Sequence, residues 1–351
     1  MHVPNYQYKG LKDAKDLADY KRAFDVNGSP KDIKKLQWVH FENPINETLV
    51  CLTYTGSTQL AAIYATMPVF FQINGKQVKA CQSLDTLTDK QHRGKGLFTK
   101  SAAKVFEEAE QKGYELIYGF PNGNSVHGFV KKLDWKLLDP VPFLFKPLRT
   151  GYFLSKGIGE KLGRVLDVGI SKTKKIKFPK GDKIIRLDSF NRETDAVWEV
   201  FSEKIAVSIQ RDSQYLNWRY VDKPGEDYQI FGYYRNQQLF GFIVYTLKVK
   251  HKGNIGYIME LIMIPSEILA GKKLVQFALN ALITKKADVC LAWCMEHTLS
   301  YSNFRKKGFK NLPNKLRPIE LHLGYRAFGG DDSLLQERNN WYISYSDSDT
   351  V

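Results

Sequence analysis

Eight consecutive residues, Gln91-His92-Arg93-Gly94-Lys95-Gly96-Leu97-Phe98, bring together two glycines, two cations and the start of a helix. The segment before them, residues 78–88, reads as a strand. The segment after them carries apolar residues at Leu97, Phe98, Ser101/Ala102, Val105/Phe106 and Ala109, a 3.6-residue stripe. A glycine loop that opens a helix is an anion site. The N–H groups of the first turn have no intrahelical partner, the helix dipole favours negative charge there, and glycines let the backbone approach closely. Arg93 and Lys95 add positive charge. Alone, the octad also fits a surface turn before a helix, so the argument rests on its continuation.

A second strand follows at residues 115–120, then Asn122-Gly123-Asn124, a helix, and Lys131-Lys132-Leu133-Asp134-Trp135. In this order the segment resembles the GNAT superfamily of acyl-CoA-dependent N-acyltransferases. Gln91, Gly94 and Gly96 match in register its Q/R-x-x-G-x-G/A loop, which holds the cofactor's pyrophosphate. The resemblance implies acetyl-CoA or another acyl-CoA as cofactor, contacted by Leu87, Thr88, Arg93, Gly94, Lys95, Gly96, Leu97, Phe98 and Asn124. There are departures. Asp134-Trp135 replaces the usual Gly-Phe, and Phe129 and Val130 stand where the superfamily carries a tyrosine.

Acyl transfer to an amine needs a deprotonated amine near the thioester, a hydrogen-bond donor for the developing negative oxygen, and a proton for the leaving thiolate. Asp85, on the strand before the loop, is the leading candidate for the base. Glu260 holds the corresponding place later in the chain. Either could instead be a hydrogen-bonded strand residue or a contact to the acceptor amine. His127, after Asn124, suits proton transfer or is a surface histidine. His92 reads as a phosphate or solvent contact, and the thiolate proton could come from water or Tyr118.

The elements that must position these groups come in a matching order. Helical patterns at residues 13–24 and 32–41 precede strands at 48–54, 59–71 and 77–88, with an Asn74-Gly75 hairpin turn between the last two. Residues 147–182 form a basic connector with a short helix near 160–166, either solvated or touching an anionic membrane.

The second half repeats the first. Leu36-Gln-Trp38 recurs 180 residues later as Leu216-Asn-Trp218, and Gln59-Leu60 recurs as Gln238-Leu239. The helix stripe from Leu97 recurs from Leu274, 177 residues on. The reading is an α+β chain of two tandem GNAT-like domains, each a mixed, mostly antiparallel sheet flanked by helices. Residues 1–146 hold the intact loop, 147–182 connect, and 183–351 carry a degenerate loop in which Glu267 and a single glycine replace Arg93, Gly94 and Gly96. The second domain would offer Glu260, Arg211, Trp218 and Tyr220 either to the acceptor or to its own core. Asp347 and Asp349 either reach the interdomain groove behind a closing strand or end the chain as a polar tail.

Composition bounds the reading. The 52 Lys and Arg against 37 Asp and Glu give a net charge of +15, which favours phosphate-bearing partners. No nucleic-acid-binding signature accompanies the charge. Four cysteines, Cys51, Cys81, Cys290 and Cys294, have no metal-ligand spacing, so no metal is expected. No apolar run is long enough to span a membrane and the first twenty residues are polar, so a cytoplasmic enzyme without stable membrane insertion is expected. The expected function is N-acetyl transfer to a small primary amine, perceived by resemblance as an amino sugar or nucleotide-linked amino sugar of a bacterial surface-glycan pathway. A Fem-type transferase using charged tRNA and a non-catalytic acyl-CoA-binding module are the alternatives; oligomeric state stays open.

Overall fold

The structure, a computed structural model, describes residues 5–56, 59–313, 317 and 321–349. The Asn74-Gly75 turn takes positive φ at both residues, 50° and 77°, and closes a two-residue hairpin between β3 (Gln59–Ile73) and β4 (Lys76–Thr88). That left-handed backbone matches the twist of the paired strands. With β2 (Val50–Thr55) they make the expected meander, and β1 (Tyr6–Gly10) adds an edge. Helices α1 (Ala14–Val26) and α2 (Ile33–Phe41) start on Asp13 and Asp32, whose carboxylates accept from first-turn N–H groups.

After the loop come α3 (Leu97–Gln111), β5 (Tyr114–Gly119), α4 (Val126–Leu133) and β6 (Lys136–Leu138). Strand β7 (Phe143–Pro147) then leaves the first sheet altogether. The connector folds as α5 (Gly151–Ile158) and α6 (Glu160–Val165), fastened by Arg149 to Asp167 at 2.7 Å. The second unit contains β8 (Asp182–Arg186), α7 (Arg192–Ser202), β9 (Val207–Ile209), α8 (Ser213–Tyr220), β10 (Gln229–Arg235), β11 (Gln238–Lys250) and β12 (Gly253–Met263). It continues through α9 (Ile268–Thr284), β13 (Val289–Trp293), α10 (Leu299–Lys306), β14 (Lys310–Asn311), β15 (Leu323–Ala327) and α11 (Ser333–Gln336).

The two sheets have the same topology. The first runs β1-β2-β3-β4-β5-β15-β6, the second β8-β10-β11-β12-β13-β7-β14, and β9 joins the first beside β3. In each, the parallel pair sits at the same place, β4 with β5 and β12 with β13. Each sheet also takes one strand from the other half of the chain. β15 enters between β5 and β6, pairing Gly324 with Gly119 and Leu323 with Leu138. β7 enters between β13 and β14, pairing Leu291 with Phe145 and Lys310 with Phe145. The 146/147 division drawn from the sequence therefore falls within β7.

Trp38 and Trp218 meet on the pseudo-two-fold axis, their rings stacked at 4.3 Å and 11°. Each indole N–H donates to the other residue's carbonyl, at 2.9 and 3.3 Å. One apolar core runs through this contact from Phe71 and Tyr118 to Phe242 and Trp293.

Two expectations change. The helix repeat is offset by 173 residues, not 177. The buried positions of α3, Leu97, Ser101, Ala102, Val105, Phe106 and Ala109, match Ala270, Leu274, Val275, Ala278, Leu279 and Leu282 of α9. An apolar stripe repeats every turn, so a slip of one turn gives nearly the same sequence match. The C-terminal segment is neither strand nor loose tail. Residues 341–348 are buried and end in a 3-10 turn at Tyr345–Asp347.

A fragment of residues 1–146 lacks β15, the strand that covers the edge of β5. Leu116, Ile117 and Tyr118, all fully buried in the whole chain, would lose that cover. The fragment is expected to show no cooperative thermal unfolding by circular dichroism, whereas the full chain does.

Candidate active site

The loop of residues 91–98 hangs from two anchors. Asp89 starts a 3-10 turn over Lys90–His92 and accepts from the Gln91 N–H at 2.9 Å and the Asn27 amide at 3.1 Å. His92 is buried, and its Nδ1 meets the Tyr6 hydroxyl at 2.9 Å. His92 thus fixes the loop to β1 rather than contacting phosphate. Beyond it the backbone turns left-handed at Gly94 (φ 77°) and Gly96 (φ 73°), and Arg93, Gly94, Lys95 and Gly96 are exposed. Added Cβ atoms there would meet nothing within 4 Å, so the glycines answer to φ and not to crowding. Gly96 caps α3 without a side-chain hydrogen bond, which leaves the first-turn N–H groups for an external anion.

The neighbouring candidates take different places. Leu97 is buried against Ala61 and Ala62. Phe98 is half-buried between Tyr64 and Phe129, with ring centroids 6.0 and 5.3 Å away. Leu87 packs on the α1 core, and the Thr88 carbonyl accepts from Arg93 Nε at 3.4 Å. Asn124 is exposed in a turn where its N–H donates to Asn122 Oδ1. His127 is exposed on α4, and its neighbour Gly128 is the residue that packs on Phe98. Phe129 is buried against Trp135, so the position of the usual tyrosine offers no hydroxyl. The Tyr118 hydroxyl donates into the Asp347 carbonyl at 3.1 Å, and burial pushes its pKa well above 10.

Ahead of the loop, β4 changes partners. Its pairing with β5 ends at Gln82 opposite Tyr118, while β4 continues to Thr88. Its ladder with β3 pairs Asp85 with Ala65 and Ser83 with Thr66, leaving Leu84 as a bulge. The bulge turns Leu84 and Asp85 together into a cavity of about 410 Å³ between the two units. Lys31, Trp38, Arg219, Lys223, Lys248 and Asp349 line its other walls.

Asp85 is held on both oxygens. Lys31 Nζ lies 2.6 Å from Oδ1, and the Tyr20 hydroxyl donates to Oδ2 at 2.8 Å. The second unit repeats this arrangement. Glu260 sits beside a bulge at Met259, Arg211 Nε donates to it at 2.7 Å, and the Tyr342 hydroxyl donates at 2.6 Å. Lys31 and Arg211 each precede their tryptophan by seven residues and are each followed by the aspartate that caps the helix. Here the copies part. The Glu260 and Arg211 side chains are fully buried, enclosed by Ser344 and Asp347, the latter 2.5 Å from Arg211. Trp218 and Tyr220 are likewise core residues.

The second unit's loop is not an anion cradle. No residue from Ile264 to Glu267 takes positive φ, and Glu267, which precedes α9 without a side-chain cap bond, has its carboxylate held by both Arg235 Nη atoms at 3.0 Å. Gly271 leaves no room beside it, since an added Cβ would fall 2.2 Å from Met263 Sδ and 2.6 Å from Asn303 Nδ2. Ser300 bonds the Leu261 carbonyl at 2.9 Å where β12 parts from β13. Met263 and Asn303 thus crowd the start of α9.

Sequence reasoning passed over Lys31, Tyr20 and the cavity's far wall. The Lys31-Asp32 and Arg211-Asp212 pairs, at the same 180-residue spacing as the tryptophans, were the available signal. All four cysteines are buried and free, and burial pushes Cys51 up to about 11 and Cys294 higher still. Among the described residues no cluster of three or more His, Cys, Asp or Glu forms a metal site, and no helix is long and apolar enough to cross a membrane.

Residues 6–138 match the family model described as an acetyltransferase (GNAT) domain. This segment resembles a GNAT-type acetyltransferase domain, and the chain's two mixed sheets correspond to two GNAT-like folds. Among solved structures it resembles the GCN5-related N-acetyltransferase of Anabaena variabilis, with a TM-score of 0.64 at 10% identity over 93% of this chain and 73% of that one. It also resembles N-myristoyltransferase of Saccharomyces cerevisiae with bound myristoyl-CoA, with a TM-score of 0.59 at 14% identity over 93% and 79%. At these identities the likeness is one of fold. No curated protein sequence matches the chain.

His40, on α2 behind Asp85, gives the site a pH signature. It is fully buried, neither ring nitrogen has a hydrogen-bond partner, and burial lowers its pKa to about 4. Its folded value lies below its unfolded one of 6.5, so the unfolded chain takes up the proton first as pH falls. Stability present above pH 6.5 is lost towards pH 4, by about 3 kcal/mol. Urea midpoints across that range should fall more steeply for the wild type than for His40→Leu.

Proposed function

We propose that this chain transfers an acetyl group from acetyl-CoA to a primary amine, with an amino sugar or nucleotide-linked amino sugar as the acceptor class that the family resemblance favours. The observation that carries the reading is the unequal fate of the duplicated ion pair. Lys31 and Asp85 open onto the interdomain cavity next to the intact loop, while Arg211 and Glu260 are sealed next to a crowded one.

In this reading the N–H groups of residues 94–99 hold the pyrophosphate, with Arg93 and Lys95 adding charge. The unpaired length of β4 after Gln82 supplies backbone donors along the cofactor arm. When bound, the thioester supplies the acyl group. Asp85 receives the amine: the Lys31 ammonium 2.6 Å away marks where a cationic nitrogen sits against that carboxylate. Asp85 then takes the proton that the nitrogen gives up as the amide C–N bond forms and the thioester C–S bond breaks, CoA leaving as thiolate to be protonated by water. Glu260, committed to Arg211 and Tyr342, acts in the contact between units, and His127 is left outside the proton path.

Asp85→Asn should lower turnover by roughly two to four orders of magnitude while CoA affinity stays nearly unchanged. Thiol release from acetyl-CoA against a panel of amino sugars and nucleotide-linked amino sugars measures it; full turnover at neutral pH would remove Asp85 as base. Loss confined to the acceptor KM would make it a binding residue.

Calorimetry should give one CoA per chain. Arg93→Glu should weaken it at least tenfold by placing a carboxylate against phosphate. Lys272→Glu, near the start of α9 in the second unit, should leave it unchanged. Two equivalent sites would contradict the assignment.

A further inference from the structure

The connector carries a surface that the acyl-transfer site does not use. Among the described residues, seventeen large apolar side chains are exposed, and six of them fall within the thirteen positions from 158 to 170. Ile158 is 48% exposed, Leu162 60%, Val165 82%, Leu166 50%, Val168 62% and Ile170 55%. Scattered apolar residues on a surface need no explanation, but a dense run of them does. These sit at the end of α5, on α6 and on the segment that follows it, outside the apolar core clusters of the fold.

The run is framed by positive charge. Residues 151–180 contain eight Lys and Arg against two Asp and Glu, a net +6 of the chain's +15. Lys161, Lys172, Lys174, Lys175, Lys177 and Lys180 are all exposed. Of the two carboxylates, Asp167 is taken by Arg149, and Glu160 faces Lys252 at 3.5 Å. The segment is also held in place. The Lys174 N–H and carbonyl bond the two ends of the Asn280 amide at 2.9 and 2.8 Å, and Thr150 Oγ1 bonds the Leu166 carbonyl at 2.8 Å. A tethered linker would gain nothing from exposed valine and isoleucine, whereas a fixed platform with an apolar crest and a lysine fringe has the form of an interfacial anchor.

We infer that residues 158–180 dock this protein peripherally on an anionic lipid surface, the apolar crest entering the headgroup boundary and the lysines facing lipid phosphates. Charge complementarity selects this occupant. A second copy of the chain would bring another +6 face against the first, and like charges that close repel. No segment of the chain crosses the bilayer in this mode; the contact is reversible and salt-sensitive.

Flotation with vesicles tests it. The full chain should float with vesicles of equal parts phosphatidylglycerol and phosphatidylcholine at low salt and not with phosphatidylcholine alone, and high salt should release it. The triple variant Lys174→Glu, Lys175→Glu, Lys177→Glu should bind on the order of a hundredfold more weakly. Leu162→Asp with Val165→Asp should lose at least tenfold, since both side chains are exposed and neither carries the fold. CoA affinity, read on the other unit, serves as the folding control for every variant. Absence of binding to the anionic vesicles, undiminished binding by either variant, or a monomer–dimer equilibrium in sedimentation abolished by the crest variant would each overturn the inference. None of these results depends on the acceptor or on Asp85.

Discussion

Everything in this molecule is arranged about the reciprocal contact of Trp38 and Trp218. A stacked pair of this kind contributes about 1 kcal/mol beyond its buried area, and here each indole also donates to the other backbone. The pair fixes α2 against α8. With the two helices placed, the strands that follow them are placed as well, and the cavity behind Asp85 is bounded on both sides. Leu36 and Leu216, two residues before each tryptophan, are buried beside the contact and hold the helix faces in the same phase.

Symmetry at the axis makes the asymmetry at the sites interpretable. A cation before the helix, a carboxylate beside a strand bulge and a phenol donating to it occur twice. In the second unit the C-terminal segment closes over them: Ser344 and Asp347 complete a buried network in which removing one partner would cost on the order of 3–5 kcal/mol. In the first unit the same chemistry faces an opening, with Asp349 as the far contribution of the C-terminal segment. Of the two copies, one anchors the chain's end and the other opens onto the cavity. The crowding of Gly271 by Met263 and Asn303 falls on the same side of this division.

Much of this could be read from the chain itself. The meander, the Asn74-Gly75 turn, the loop with its glycines and the Leu-x-Trp repeat depend on local chemistry, and local chemistry is written in order along the sequence. What could not be read depends on which segments meet. Strands such as Lys136–Leu138 and Leu323–Ala327 are short and lack a long alternation, and their place in a sheet is set by an edge far away in sequence. The one-turn slip in the helix repeat has a similar origin, since periodicity reports the buried face and says little about which turn is which. Lys31 was overlooked because an exposed-looking lysine before a helix cap carries no signal alone; only the second copy, Arg211, gives it meaning. Asp347 was ambiguous for want of a partner, and Arg211 is that partner.

The exchange of β7 and β15 also has a bearing on how the protein comes to exist. During synthesis the first unit's sheet stays open between β5 and β6 until Leu323–Ala327 has been made, about 180 residues after β6 itself. At roughly 5–20 residues per second that interval is on the order of 10–40 s. Through it, the edge of a largely finished sheet waits with Leu116 and Ile117 uncovered, a template for any passing strand. The second unit has no such wait, because β7 is ready before β13 is made. A nascent chain of this design is most exposed to chaperones in its first half and for a period fixed by the length of its second.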